Sequence, residues 1–245
     1  MNSITMQCKI EVLRIFRNPY FVFWSLLMPI VFYFIFTNIV NADVPDVELW
    51  QAYYLMSMTA FSVMGSAIMT FGIRMVQERT QGWSSFMKIT PLPAWAYFTA
   101  KMFGQTVMHL FSVILIFIAG YLINGVSLTF TQWFFSGLWI LVASLPFLAI
   151  GTLVGSMKKV ETASGVSNIL YLALAILGGM WFPIYIFPTF LQDMAEWLPS
   201  YHFGNGAWEI IRGNAPSIKS VLILGGYLIG FMVISALVRR NEEAN

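Results

Sequence analysis

Charged residues are scarce in this chain. Its 245 residues include 13 Lys and Arg and 11 Asp and Glu, so that only 10% of the sequence is charged, against about 25% in typical soluble proteins. Hydrophobic residues make up 58% of the sequence and aromatic residues 17%. So few charges could not cover the surface of a water-soluble fold, which argues against a soluble enzyme or a nucleic-acid-binding protein. We therefore expect the chain to be embedded in a lipid bilayer.

Binding motifs are scarce as well. The single cysteine, Cys8, cannot form an internal disulfide, and no group of cysteines and histidines has the spacing of metal ligands. The sequence has no G-x-x-x-x-G-K-[S/T] motif to hold nucleotide phosphates. The basic residues stand in short groups beside apolar runs, which is typical of membrane orientation rather than of nucleic-acid binding. We therefore expect this chain to bind no cofactor, metal or nucleic acid.

Six apolar runs are long enough to cross a bilayer, which takes about 20 residues of helix. They cover residues 20–40, 52–73, 102–123, 133–155, 162–182 and 220–238. None of them contains Asp, Glu, Lys or Arg, and they are continuous rather than alternating like the strands of a membrane barrel. The sequence predicts an all-α integral membrane fold with six spans, in which residues 1–245 form a single transmembrane domain without an appended nucleotide-binding domain.

The basic residues also predict the orientation. If the amino terminus is cytoplasmic, 11 of the 13 basic residues lie in inner segments and only Arg212 and Lys219 lie outside. This distribution follows the positive-inside rule, so both termini are expected to be cytoplasmic. The first outer loop then carries only the acidic residues Asp43, Asp46 and Glu48. The first run is too long for a signal peptide and has no small-residue cleavage site after it, so we expect it to be retained.

Residues 3–19 have the composition of a helix that lies in the inner membrane interface, with basic and apolar residues at helical spacing. Pro19 would end this helix and redirect the chain into the first span. The residues assigned to the interface helix are Lys9, Leu13, Arg14, Phe16 and Arg17. The alternative is a basic flank that only anchors the topology.

The inner segment from Arg74 to Lys101 is long for a connection in a compact bundle. Trp83, Phe86 and Met87 have the i, i+3, i+4 spacing of one helix face, so a short amphipathic helix could present aromatic side chains to a partner. Pro91 and Pro93 would stop that helix before the third span. The alternative is a solvated loop whose aromatic side chains dip into the lipid headgroups.

The outer segment 183–219 is too apolar for a free loop and too broken for a span. Prolines and large aromatic residues recur through it, among them Pro183, Pro188, Trp197 and Pro199. Two short half-helices that re-enter the outer leaflet would fit, because such backbone is tolerated where protein covers it. An aromatic belt at the interface is the alternative, and both interpretations can hold together.

Polar and soft side chains inside the spans are candidates for a substrate path. The candidates are Met58, Ser62, Gly65, Met69, Asn168 and Tyr171. The alternative is close helix packing through small residues. His109 has no carboxylate within one helical turn, so we expect it to be neutral and hydrogen-bonded to a neighbouring helix. This argues against a proton-coupled transporter and against an intramembrane enzyme.

Three stretches together resemble the permease subunit of type-2 ATP-binding-cassette exporters, in the bacterial drug, antibiotic and lipid branch. The stretches are Arg17-Asn18-Pro19 before the first span, Glu78-Arg79 with Gly82 and Thr90-Pro91-Leu92 up to Lys101, and Gly178-Gly179-Met180-Trp181-Phe182-Pro183 with Phe187-Pro188 and Leu198-Pro199. The similarity covers nearly the whole chain. Trp83-Ser84-Ser85 departs from the Thr-Leu-Glu that many relatives carry after the glycine.

This resemblance implies a dimer of six-span permeases in a bacterial plasma membrane, formed by two copies or with a related permease. Each permease would dock on a separate cytoplasmic ATPase that carries the ATP and magnesium. The implied coupling helix spans about 78–88 and includes Glu78, Arg79, Gly82, Trp83, Phe86 and Met87. An amphipathic drug, antibiotic or lipid would leave along the dimer interface, lined by spans two and five. The alternative is a non-transporting sensor or immunity module linked to an ATPase.

Overall fold

The computed structural model describes residues 3–17, 19–40, 46–83, 89 and 93–244. These residues fold into α-helices joined by short connections, and no strand occurs among them. The α-helices are α1 (Ser3–Phe16), α2 (Pro19–Ile35), α3 (Val47–Gly65), α4 (Gly72–Thr80), α5 (Ala94–Asn124), α6 (Phe130–Ala143), α7 (Leu145–Gly155), α8 (Val160–Leu177), α9 (Thr189–Ala195), α10 (Pro199–Ile211) and α11 (Ile218–Ala244). The expected all-α membrane fold is confirmed.

Among the described residues, five helical stretches are long and apolar enough to span a membrane. They are Val47–Thr80, Trp95–Asn124, Phe130–Gly155, Val160–Leu177 and Ile218–Val238, and they coincide with predicted spans two to six. The first predicted span coincides with α2 and its π-helical continuation Phe36–Val40, of which Leu26–Val40 forms a shorter apolar helix. A sixth span and the orientation of the bundle therefore stay predictions.

The second span is the centre of the bundle. Nearly every residue from Ala52 to Ile68 is buried, and α3 packs against α2, α5, α6 and α10. A π-helical segment, Ser66–Phe71, joins α3 to α4 and packs against α7. Such segments widen the helix by one residue and leave backbone groups to be satisfied elsewhere. The last two spans lie at the periphery, with few of their residues buried.

Local sequence explains the main interruptions. The fourth predicted span is broken at Ser144, because Pro146 in the first turn of α7 has no backbone N–H to continue the ladder from α6. Thr129 begins α6 with a capping box, in which its side chain accepts from the Gln132 backbone and the Gln132 side chain bonds back to the cap. Gly125, in the left-handed region at φ 63°, ends α5.

The outer segment between the fifth and sixth spans contains the two short helices that were expected there. After α8 the chain turns at Gly179, whose φ of 77° favours glycine, and passes through a 3₁₀ turn at Ile184–Ile186 into α9 and α10. Pro183 is buried before this turn, and Pro199 lies in the first turn of α10. The second of the two helices, α10, is covered by protein, because it packs against α3, α6 and α11, whereas α9 is mostly exposed.

The inner segment differs from the expectation of one helix over 78–88. Glu78 and Arg79 belong to the last turn of α4, which ends at Thr80. Gly82 then adopts a φ of 76°, which interrupts the helix before Trp83. A residue in this conformation cannot continue a right-handed helix. The remaining predicted coupling residues, Phe86 and Met87, lie outside the described residues.

Candidate functional site: a buried ion-pair network at the inner end of the bundle

Five charged side chains from three helices meet at the predicted cytoplasmic end of the bundle. Glu11 of α1 is 1% exposed and accepts hydrogen bonds from Arg74 Nη2 at 3.1 Å and from Lys101 Nζ at 3.3 Å. Arg74 belongs to α4 and Lys101 to α5. The carboxylate of Glu11 thus joins all three helices.

Glu78 is the second carboxylate of this network. Arg14 Nη1 of α1 donates to its Oε1 at 2.7 Å, the hydroxyl of Tyr97 donates to its Oε2 at 2.8 Å, and Lys101 forms an ion pair with it. Lys101 is only 2% exposed and is shared by both carboxylates. Separating these charges would leave buried ions without partners, which costs several kcal/mol per ion. The network therefore holds α1, α4 and α5 together.

Close packing brings α1 onto α5. Gly104 of α5 lies against Glu11, so that a Cβ at position 104 would be 3.1 Å from the Cβ of Glu11. Phe16 packs edge-on against Phe111 with ring centroids 5.0 Å apart. In residues 4–16 of α1, the buried side chains are those of Glu11 and Ile15, one turn apart. A larger residue than glycine at 104 would push this helix away from its ion pairs.

The opposite face of α1 is apolar and exposed. Met6, Ile10 and Leu13 form a stripe at helical spacing, and each is more than 40% exposed. Of the residues assigned to the interface helix, Lys9 and Arg17 are also exposed, Phe16 is half-buried, and Arg14 enters the network. The expected amphipathic helix is therefore confirmed, and its exposed stripe suits contact with lipid.

Two of the predicted coupling residues connect the network to its surroundings. Arg79 Nη2 donates to the carbonyl oxygen of Ser156 at 2.8 Å and also to that of Met157, at the end of α7. The guanidinium carbon of Arg14 lies 5.5 Å from the ring centre of Trp83, within the range of a cation–π contact. Trp83 is 37% exposed and reaches the surface just after Gly82.

Sequence reasoning missed Glu11, Arg74, Tyr97 and Lys101 as members of one site. Glu11 offered a signal, because it is the only acidic residue before Asp43 in a segment that is otherwise basic. Glu78 was assigned to contact with a partner, yet its side chain is buried inside the chain. It can act on a partner only through the residues around it, such as Arg14 and Trp83.

The candidate path residues lie in different environments. Tyr171 of α8 packs on Gly65, where a Cβ would be 2.7 Å from the tyrosine ring, and stacks on Phe61 at 4.6 Å. Ser62 and Met58 of α3 are both buried, and Met69 is half-buried. Asn168 is exposed on α8. The structure brings Gly65 and Tyr171 together and places Met58 away from the surface.

Polar side chains in contact with one another link spans two, three and four beside the π-helical segment. The side-chain amide of Gln105 donates to Ser66 Oγ at 2.6 Å and lies 3.2 Å from His109 Nε2, while His109 Nδ1 lies 3.3 Å from Ser144 Oγ. The expected hydrogen bond from His109 to a neighbouring helix is confirmed, at the junction of α6 and α7.

Polar contacts also fasten the outer element to the start of α11. His202 Nε2 bonds the carbonyl oxygen of Glu196 at 2.8 Å, and its Nδ1 lies 3.0 Å from Ser220 Oγ. Burial lowers the pKa of His202, because desolvation disfavours the charged ring. The hydrogen bond from Lys219, at 2.7 Å, lowers the pKa of Glu196. Pro188 is exposed, and Trp197 is 71% exposed, as expected of an aromatic residue at a membrane interface.

Comparison with known proteins supports one family. The sequence profile described as ABC-2 family transporter protein matches residues 46–237. A Bacillus subtilis (strain 168) protein named as a transport permease, YvfS, is 56% identical over 244 residues, which is 100% of both chains. The linearmycin resistance permease protein LnrN of the same organism is 30% identical over 133 residues, which is 50% of this chain and 34% of the relative. The chain belongs to the ABC-2 family of transporter proteins, as the membrane subunit of a transporter.

Proposed function

We propose that this permease exports an amphipathic compound from the cell, and that a separate cytoplasmic ATPase drives it. The observation that carries the proposal is the buried network of Glu11, Arg14, Arg74, Glu78 and Lys101. An ATPase that docks on the inner segment can drive transport only if the movement of that segment reaches the spans. The network provides this connection, because it joins α4 and α5, the helices on either side of the inner segment. Membership of the ABC-2 family supports the same assignment.

The coupling would run from the surface inwards. Trp83 lies where the inner segment leaves the bundle. It contacts Arg14, which in turn forms an ion pair with Glu78. A push on this segment would therefore move α1, α4 and the start of α5 as one body. Arg79 would pass the same movement to α7 through the carbonyl groups that it holds. Phe86 and Met87 complete the proposed ATPase contact.

The π-helical segment is the proposed flexible point of this movement. It lies between α3, which is fixed in the core, and α4, which carries two members of the network. Its geometry leaves backbone carbonyls free of the regular ladder, and Gln105 binds the one at Ser66 at 3.3 Å. Because π-helical and α-helical arrangements differ by one residue of register, a change between them would tilt α4 against α3.

The proposed substrate path lies between two copies of the chain. Spans two and five meet where Tyr171 packs on Gly65, and α8 beyond this contact exposes Asn168, Ile169 and Leu170. A face with one amide among aliphatic groups suits an amphipathic molecule or the second permease. Its relative LnrN is named for resistance to linearmycin, which supports an antibiotic-like compound as the substrate of this chain too.

The test is purification of the tagged chain from its native membranes in several mild detergents, followed by identification of the co-purifying proteins and an ATPase assay. We expect an ATPase with a nucleotide-binding P-loop in fixed ratio to the permease, and ATP-dependent export after reconstitution. The variant Trp83→Ala should lose export while still inserting into the membrane. The matched control Trp197→Ala removes an exposed tryptophan at the opposite end of the bundle, away from the proposed ATPase contact.

Two results would contradict the proposal. Full export and full ATPase stimulation with Trp83→Ala would remove the coupling assignment. A permease that purifies without any ATPase from every detergent would favour a non-transporting membrane module instead.

A further inference from the structure

The outer end of the bundle contains a cavity of about 540 Å³ between the start of α3 and the outer element. Its lining includes Asp46, Trp50 and Tyr53 from the α3 side and Tyr201, Trp208 and Arg212 from the end of the outer element. Pockets for small molecules commonly enclose between about 300 and 1,000 Å³. The cavity thus has room for a small molecule, and it lies at the opposite end of the bundle from the ion-pair network.

One wall of this cavity is a continuous series of aromatic rings. The rings of Trp50 and Tyr53 are nearly parallel, with centroids 6.0 Å apart, and Tyr53 stacks on Trp208 at 4.6 Å. Tyr201 meets Trp208 edge-on at 6.3 Å. Trp208 Nε1 donates to Ser57 Oγ at 3.0 Å, which fixes the ring against α3. The wall is therefore rigid before any ligand arrives.

The charges of the lining do not balance. Arg212 is paired with Glu209 at 3.0 Å, and Glu196 is paired with Lys219 at 2.7 Å. The carboxylate of Asp46 caps α3 by accepting from the Leu49 backbone at 3.0 Å, and no ion pair is seen for it in the described part of the chain.

The sequence around Asp46 adds negative charge and no positive charge. Asp43 and Glu48 flank it, and the chain has no Lys or Arg between Arg17 and Arg74. An uncompensated carboxylate therefore stands at the rim of an aromatic wall. Aromatic faces carry a negative quadrupole and attract cations within about 6 Å of the ring centre.

We propose that this cavity binds an amphipathic organic cation from the outer side of the membrane. The aromatic wall would hold the apolar body and the positive centre, and Asp46 would supply the opposite charge. The proposal does not rest on export, because it concerns a site in the permease chain alone.

Binding is tested with the purified full chain in lipid nanodiscs, without an ATPase, by tryptophan fluorescence with empty nanodiscs as the blank. The probe is benzyltrimethylammonium, and its neutral isostere neopentylbenzene has the same shape without the charge. We expect the cation to bind at least about tenfold more tightly than the isostere, which corresponds to about 1.4 kcal/mol.

The variant Asp46→Asn removes the charge but keeps the helix cap, because asparagine caps as well as aspartate does. It should weaken binding of the cation about tenfold and leave neopentylbenzene binding unchanged. Glu48→Gln is the matched control, since Glu48 is an exposed carboxylate of the same helix that does not line the cavity.

Equal affinity of the unaltered chain for the two probes would overturn the proposal, and so would cation binding that survives Asp46→Asn. The same weakening in Glu48→Gln would assign the effect to general surface charge instead of this cavity. None of these results would bear on the co-purification of an ATPase, so this proposal and the export proposal fail separately.

Discussion

Lys101 of α5 forms a buried ion pair with Glu11 of α1 across 3.3 Å, although 90 residues separate them in sequence. The two side chains are 2% and 1% exposed. The pair therefore ties the amino-terminal helix to the third span at a point that water does not reach. Because burial removes the hydration of both charges, each depends on the other for its stability.

Removal of one partner from this pair should destabilise the chain strongly. Lys101→Met leaves Glu11 and Glu78 with fewer cations, and we expect a loss of about 3–5 kcal/mol. The double variant Glu11→Gln with Lys101→Met should be more stable than the sum of the single changes predicts. Thermal unfolding in detergent measures both. Lys219→Met, in an exposed pair, is the control and should change stability by less than about 1 kcal/mol; an equal loss there would contradict the role of burial.

Gly65→Ala should disturb the contact between the second and fifth spans. The added Cβ would be 2.7 Å from the Tyr171 ring, and overpacking of this kind costs about 1–3 kcal/mol. Gly165→Ala in α8 is the matched control, because no atom of a neighbour lies within 4 Å of its Cβ. Thermal unfolding should show a lower midpoint for the first variant only. A second change, Tyr171→Leu, should restore part of the loss; no restoration would show that the ring is not the obstacle.

The outer element should loosen as the pH falls below about 6.5, the ordinary pKa of histidine. Burial lowers the pKa of His202 in the folded chain, so below that pH the unfolded chain takes up a proton that the folded chain does not. Stability is thus complete at higher pH and is lost progressively as the pH falls. Lys219 and Glu196 face this ring; Glu196, whose pKa is lowered, loses its contribution only below its ordinary value of 4.5.

A comparison of the unfolding midpoint at pH 7.5 and pH 5.5 isolates the histidine. We expect a lower midpoint at pH 5.5, and a much smaller difference in His202→Gln, which keeps a polar side chain without titrating. Glu196→Gln should keep the difference. An unchanged pH dependence in His202→Gln would assign the effect to another group.

The orientation is tested by cysteine labelling in a Cys8→Ser background. Position 215, before α11, should react with an impermeant reagent added to whole cells, whereas position 158, between α7 and α8, should react only after the membrane is opened. Both residues are exposed in the structure, so access depends on the side of the membrane. Reaction of position 158 in whole cells would invert the topology.

The hydrophobic pattern was enough to predict most of the fold. The uncharged runs predicted most ends of the spans to within a few residues. This was possible because charged residues are excluded from the bilayer core, so that each span can be recognised from its own stretch of sequence. Prolines predicted that the segment from Pro183 to Pro199 is broken into short helices, since their backbone restrictions are local too.

The ion-pair network could not be predicted in the same way. Glu11, Glu78 and Lys101 are far apart in sequence, and each stands beside an apolar run, where a solvated charge is the usual case. Only the packing of α1 on α5 at Gly104 brings them together. The π-helical segment was equally hidden, because Ser66–Phe71 has an ordinary composition for a span and its hydrogen-bond partner Gln105 comes from another helix.

The second span is longer than the membrane is thick. The continuous helix Val47–Thr80 has 34 residues, or roughly 50 Å at a rise of about 1.5 Å per residue, against about 30 Å for the hydrocarbon core. We therefore expect its predicted inner end, with Glu78 and Arg79, to extend beyond the hydrocarbon core. A tilt at the π-helical segment Ser66–Phe71 would move the turn at Gly82 sideways more than it moves Gly72, because displacement grows with distance from the pivot.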